Sequence, residues 1–280
     1  MALPSPGDRT SRDRTEDEWL HGWDATPGIV SVWADDDGRA FVWRRVDTGD
    51  LVREVERFRP WLLLDRLDDL RHLGARLVAE TSTDARSHPM ADARITYQEL
   101  DGPGALRYRV AAASGRTLTS AVLSGASQRL GRRLGHLRDL EPGTFLSLPP
   151  DEQYLVATGR TYFGALAFDQ LRRLQFDLET TGLDPRGDRV FMVAVRDPAG
   201  VVELLETRGD SDADEADLIQ RLIAAIQRAD PDVIENHNLH GFDLPFLQRR
   251  ALHLGIPLTL GRTNEPRLRQ RGARRGAPTG

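Results

Sequence analysis

The chain has 280 residues, 39% of them apolar and 29% charged, the balance of a soluble globular protein with room for two modest domains. No apolar run approaches the length of a membrane span, and the opening MALPSPGDRTSRDRTEDE lacks the apolar core of a secretory signal. Zero cysteines exclude disulfides and thiolate metal sites and fit a cytoplasmic protein. A formal charge of −5 gives no bulk attraction for nucleic acid, and all 38 basic residues are arginine.

Residues 1–17 are rich in proline, arginine and acids without periodicity, and read as a disordered tail. From Gly28 to Val46, alternating apolar residues flank the turn-forming DDDG, which predicts a β-hairpin. The pattern predicts a short helix over Val52 to Phe58, a strand over Trp61 to Leu64 after Arg59-Pro60, and a helix over Leu67 to Ala79. Arg94–Leu100 and Leu106–Val110 form a second hairpin across Asp101-Gly102-Pro103-Gly104. Leu118 to Leu130 reads as an amphipathic helix interrupted by glycine. Pro149-Pro150 marks the break between halves. His21, His72, His88 and His136 are scattered and suggest no ligand set.

Beyond the break the pattern sharpens. Leu174 to Glu179 reads as a strand, followed by Arg189 to Val195 and Val201 to Leu205, the last two joined through Asp197-Pro198-Ala199-Gly200 as a hairpin. Glu215 to Arg228 is a helix with Leu218, Ile219, Leu222, Ile223 and Ile226 on one stripe. Ser211 or Asp212 caps it, and Asp230-Pro231 stops it. A strand over residues 233–236, a polar turn and a helix from Asp243 to Leu254 follow. Three meander strands, a crossover helix, a strand parallel to the first and a further helix give the ribonuclease-H-like order. The tail from Gly261 holds Arg262, Arg267, Arg269, Arg271, Arg274 and Arg275 against Glu265, has no apolar face, and reads as disordered. The expected domains are therefore 18–150 and 151–260, with tails 1–17 and 261–280.

Chemistry concentrates at two strand ends. Residues i and i+2 of a strand share a face, about 7 Å apart, so Asp177 and Glu179 lie side by side while Phe176 and Leu178 point into a core. Paired anions raise each other's pKa unless a cation lies between them, and hard oxygen ligands suit Mg²⁺ or Mn²⁺. The turn Asn238 to Asp243 brings a third acid to the end of the neighbouring strand. Three acids there suit metal-assisted phosphodiester chemistry. A D-x-E pair alone is weak, since most such pairs face solvent; the apolar LQF before it and the TTGLD turn after it raise its weight.

FDLETTGLD resembles the first exonuclease motif of the DEDD superfamily, and DPDVIENHNLHGFDLPFL resembles the second in the form found in B-family DNA polymerases. The likeness covers roughly residues 150 to 260. RFRPWLLL and the lead-in Asp151 to Leu166 resemble, less specifically, the N-terminal domain and linker of those polymerases. The fold class implied is α/β: a ribonuclease-H-like exonuclease domain preceded by a mixed α/β polymerase-B-like domain. The resemblance implies that Asp177, Glu179 and Asp243 bind two divalent ions, Mg²⁺ or Mn²⁺. It implies that Asn238 bonds near the acids or the terminal nucleotide. It also implies that Phe242, Leu183 and the backbone at Thr180 pack against the bases of a single-stranded DNA 3′ end. The reaction implied is 3′-to-5′ release of nucleoside monophosphates, which in a polymerase is proofreading. His237 and His240 share the turn but are more often bystanders.

The superfamily pattern continues with a third motif, a fourth acid on a later helix preceded by a Tyr or His. Past Leu254 this sequence has only Glu265, and it lacks the palm signatures of B-family polymerases. The expectation is a truncated or split form without its last strand and helix and without polymerase activity. Two readings follow. One is an exonuclease half-site completed by a second polypeptide carrying the third motif and the palm. The other is a non-catalytic nucleic-acid-binding or structural fragment. A DEDD-fold ribonuclease is a third, since the motifs do not separate DNA from RNA.

Overall fold

The computed structural model describes residues 24–80, 94–263, 265 and 268. The expected N-terminal tail, His21, His88 and the arginines beyond Glu265 lie outside them. The chain divides into two compact units, residues 1–165 and 166–280.

In the first unit, β1 (Ile29–Ala34) and β2 (Arg39–Arg45) form the expected hairpin, and β3 (Leu51–Arg57) adds to β2 in antiparallel register. The helix expected over Val52 to Phe58 is thus a strand. Its Val52 and Val55 have helical spacing, but the turn at 47–50 returns the chain alongside β2, and Arg44 bonds Glu54 across the pair at 2.6 Å. β-Branched residues on a half-exposed edge suit that pairing. A five-stranded sheet follows in the order β5-β6-β7-β4-β8, from β4 (Trp61–Leu64), β5 (Leu77–Ala79), β6 (Ile95–Glu99), β7 (Tyr108–Ala111) and β8 (Phe145–Leu146). The helix expected over Leu67 to Ala79 is a 3-10 segment, Asp68–Arg76, broken at Gly74 with φ 53° and running into β5. Helix α1 (Gly115–Leu130) starts three residues before the expected Leu118, because the Ser114 hydroxyl accepts from the Thr117 N–H at 3.1 Å.

Helix α2 (Pro150–Thr158), which the sequence reading grouped with the second half, packs in this unit. Its Tyr154 is fully buried edge-on to Phe58, ring centroids 5.8 Å apart, and donates to Glu56 at 2.8 Å. Gln153 accepts from the Trp61 N–H at 2.8 Å and donates to the Leu148 carbonyl at 2.7 Å. A buried amide satisfied at both ends ties the helix to β4.

The second unit is a four-stranded sheet in the order β11-β10-β9-β12, from β9 (Arg173–Thr180), β10 (Val190–Arg196), β11 (Val202–Glu206) and β12 (Val233–Glu235). β12 runs parallel to β9, the others antiparallel. The ribonuclease-H-like order read from the sequence is present. Helix α3 (Asp212–Ala229) starts at a reciprocal cap between Ser211 and Asp214, and its expected stripe is buried against Leu174, Phe176, Val193 and Val195. Helix α4 (Leu244–His253) adds Phe246, Leu247 and Ala251 to the same core. Leu258 and Leu260 are buried after it. Arg262, assigned to the tail by its composition, is only 12% exposed and holds Asp230 at 2.7 Å and Asp232 at 2.8 Å.

Candidate functional site

β9 places the first two acids as strand alternation requires. Leu174, Phe176 and Leu178 are buried while Gln175, Asp177 and Glu179 are exposed on the opposite face. Asp177 lies opposite Ala194 and Glu179 opposite Met192 on β10, so small and flexible neighbours leave the carboxylates open. The Asn236 amide donates to Asp177 at 3.1 Å, and its own oxygen accepts from the His237 N–H. Asn236 is thereby fixed and fixes Asp177 in turn. Sequence reasoning passed over it for Asn238, two residues along. A groove of about 520 Å³ lies beside Asp177, bounded by Gln175, Arg196, Asn236 and His237.

The third acid arrives through an irregular turn. Residues Leu239–Asp243 form one π turn, in which the Leu244 N–H donates to the Leu239 carbonyl, and α4 continues from it. π turns are frequent at functional sites. Asp243 is 3% exposed and accepts from the Leu178 N–H at 3.3 Å. Burial pushes its carboxyl above the usual carboxylate range. The backbone hydrogen bond opposes that shift, and the nearby Asp177 charge adds to it.

The residues expected at the substrate are dispersed around these acids. Leu183 is 82% exposed on the loop after β9. Thr180 is half-buried, its hydroxyl donating to the Gly182 carbonyl at 2.7 Å. The Asp188 carboxylate organises that loop, accepting from the Asp184 N–H at 2.8 Å and bonding the Thr181 hydroxyl at 3.3 Å. Phe242 is half-buried and packs on Phe246, centroids 5.3 Å apart. Asn238 is exposed, and its backbone carbonyl accepts from Gly241 and Phe242.

Among the described residues no group of three or more His, Asp or Glu side chains is gathered closely enough to hold a metal ion. The donor chemistry nevertheless fits a hard cation. Asp177 and Asp243 approach closely enough for the charge of one to raise the other's pKa, and a bound cation would reverse that effect. Glu179 extends the same face of β9.

This sheet order, with a crossover helix leading to a strand parallel to the first, defines a ribonuclease-H-like fold. Residues 201–276 match the family model for the DNA polymerase family B exonuclease domain. Asn238, Phe242 and Asp243 lie inside that match; Asp177 and Glu179 precede it. The chain is 35% identical over 96 residues to DNA polymerase 2 of Aeropyrum pernix, covering 33% of this chain and 12% of that protein. It is 34% identical over 134 residues to a DNA polymerase of Pyrococcus horikoshii, covering 45% and 11%. In structure it is similar to the family B DNA polymerase of Pyrobaculum calidifontis, with TM-score 0.52 and 20% identity over 85% of this chain and 34% of that one. In sequence the second unit is similar to the exonuclease domain of B-family DNA polymerases. The chain matches only about an eighth of the length of those first two polymerases. No helix among the described residues is long and apolar enough to cross a membrane.

Proposed function

We propose that the second unit hydrolyses phosphodiesters at the 3′ end of single-stranded DNA, the proofreading activity of a B-family polymerase. The observation that carries the reading is the placing of Asp177, exposed and held by Asn236, on β9, and of Asp243, buried and hydrogen-bonded to the Leu178 N–H, beneath the same strand. Exonuclease domains of this kind depend on divalent metal. Asp177, Glu179 and Asp243 are the residues that would hold it. Bound there, a divalent ion supplies Lewis-acid polarisation and lowers the pKa of water. The chain's own residues do the rest. Asn236 keeps Asp177 in one rotamer, and the Leu178 N–H orients Asp243. Leu183, Phe242, Asn238 and the Thr180 backbone contact the terminal nucleotide, where apolar stacking tolerates any base.

A second reading, a module that binds nucleic acid without cleaving it, is favoured by the ungathered carboxylate trio. In a half-site reading, another polypeptide supplies the fourth acid and draws the trio together. One experiment separates these. The purified chain is incubated with Mn²⁺ and a 3′-labelled single-stranded oligonucleotide beside an Asp177→Ala, Glu179→Ala variant. Release of labelled monophosphate that the variant lacks supports hydrolysis. Binding without release, in a protein folded by circular dichroism, refutes self-sufficient catalysis and leaves the binding module or the half-site.

A further inference from the structure

Among the described residues, the most enclosed ion pair of the second unit joins α3 to α4. Arg250 on α4 is 3% exposed and Glu215 on α3 is 1% exposed. They meet in a two-pronged contact, Nε to Oε1 at 2.9 Å and Nη2 to Oε2 at 2.5 Å. Each partner has a further bond. Glu215 Oε1 accepts from the Val190 N–H at 3.0 Å, where β10 begins. Arg250 Nη1 donates to the Pro185 carbonyl at 3.2 Å, inside the loop after β9. One pair therefore joins two helices to both sides of the loop that displays Leu183. Arg250 lies two helical turns after Asp243 on the chain segment that also carries Phe242.

A buried ion pair is a poor means of adding stability, because desolvation offsets much of its attraction, and apolar replacements often do as well. What it does supply is direction. The planar guanidinium fork meets both carboxylate oxygens in one orientation while each partner also holds backbone, so the loop and α4 are locked in one register. We infer that the Arg250–Glu215 pair is a positioning element that fixes the Leu183 loop relative to the helix bearing Phe242 and Asp243. It thereby sets the grip on the terminal base of the DNA. The second half of that statement rests on the function proposed above; the first does not.

The test replaces both partners together, Glu215→Leu with Arg250→Met, which removes the directional bonds without leaving a lone buried charge. Thermal unfolding confirms that the double variant folds. Amide hydrogen exchange over residues 181–189 is then compared with that of α3 and β9. The expected result is exchange faster by roughly tenfold in the loop alone, the scale of one or two lost hydrogen bonds. Unchanged loop exchange in the folded double variant overturns the inference. In parallel, single-stranded oligonucleotides ending in a normal base or an abasic 3′ nucleotide are bound in Ca²⁺. The wild type should prefer the base. Leu183→Ala and the double variant should each lose that preference, and combining them should lose no more. A double variant that keeps the preference overturns the grip. If the wild type shows no preference, the reading of Leu183 and Phe242 falls, while loop exchange still decides the positioning role. Retention of the loop's protection in an Arg250→Lys variant, which keeps the charge but not the fork, also counts against it.

Discussion

Gly125 offers a test in which two physical effects have opposite signs. It lies inside α1, where glycine-to-alanine substitution ordinarily stabilises by about 1 kcal/mol through helix propensity. Here a Cβ would stand 1.6 Å from the Asp69 carbonyl oxygen, 2.4 Å from its carbon and 2.9 Å from its Cα. All three are backbone atoms, so the 3-10 segment itself must retreat. Asp69 is also buried and accepts from Arg129 of α1 at 2.7 Å, a bond that shifts with it. Overpacking costs about 1–3 kcal/mol, and weakening a charged hydrogen bond adds about 1.5–3 kcal/mol. Against about 1 kcal/mol of propensity, the net expectation for Gly125→Ala is a loss of roughly 3 kcal/mol. At about 2–4 °C per kcal/mol for a unit of this size, the first unit's Tm should fall by roughly 6–12 °C. Scanning calorimetry reads this directly, with Ser124→Ala on the exposed side of α1 as a control expected to gain up to about 0.5 kcal/mol. An unchanged or raised Tm in Gly125→Ala would refute the close approach of helix and 3-10 segment.

Three further outcomes follow from the same geometry. Asn236→Ala removes the donor to Asp177 and should lower Mn²⁺ affinity about 10–100-fold by calorimetric titration; equal affinity, or a larger effect from Asn238→Ala, would count against Asn236 as the orienting partner. Asp243→Asn removes a buried charge yet keeps an acceptor for the Leu178 N–H, so at pH 7 the metal-free protein should gain about 2–4 °C, equivalent to about 1 kcal/mol, while losing metal affinity; a lower Tm contradicts the burial argument. In the first unit, burial raises the Asp24 carboxyl but hydrogen bonds from Thr26 and Arg160 outweigh it and bring it down to about 2. A depressed acid stabilises the fold above its unfolded value of 3.8, and that stability disappears as pH falls toward about 2. The partly exposed site limits the contribution to about 1 kcal/mol or less. Asp24→Asn should flatten the Tm profile across that window, and a profile unchanged from wild type would refute the assignment.

The second unit was the more legible half of the sequence, for a physical reason. From Leu174 to Glu179 strand β9 alternates buried and exposed residues, and α3 pairs a reciprocal Ser211–Asp214 cap with an apolar stripe, so local pattern and tertiary burial agree. In the first unit they conflict. Val52 and Val55 have helical spacing and become a strand because β2 offers a partner. Leu67 to Ala79 is long enough for a helix yet is divided at Gly74. Asp177 and Glu179 were legible because strand alternation alone places them on one face. Asn236 was not, since its link to Asp177 spans two strands 59 residues apart. Glu215 and Arg250 left no local signal either. Each reads as an ordinary polar residue of an amphipathic helix, and only the packing of α3 against α4 makes them one buried unit.

The π turn at Leu239–Asp243 has an evolutionary consequence. One residue more than a regular helix requires is accommodated there, and each residue of a helix turns the chain by about 100°. Deleting a single codon within the turn would let the helix run regularly from Asn238 into α4 while swinging Asp243 by that angle, away from Leu178 and Asp177. The core residues Phe246, Leu247 and Ala251 would have to re-register to follow. Displacing Asp243 from the site is thus a one-step genetic event that also disturbs the packing of α4. Recovering it requires an insertion of the right length at the right place, so lineages that lose the π turn should seldom regain it.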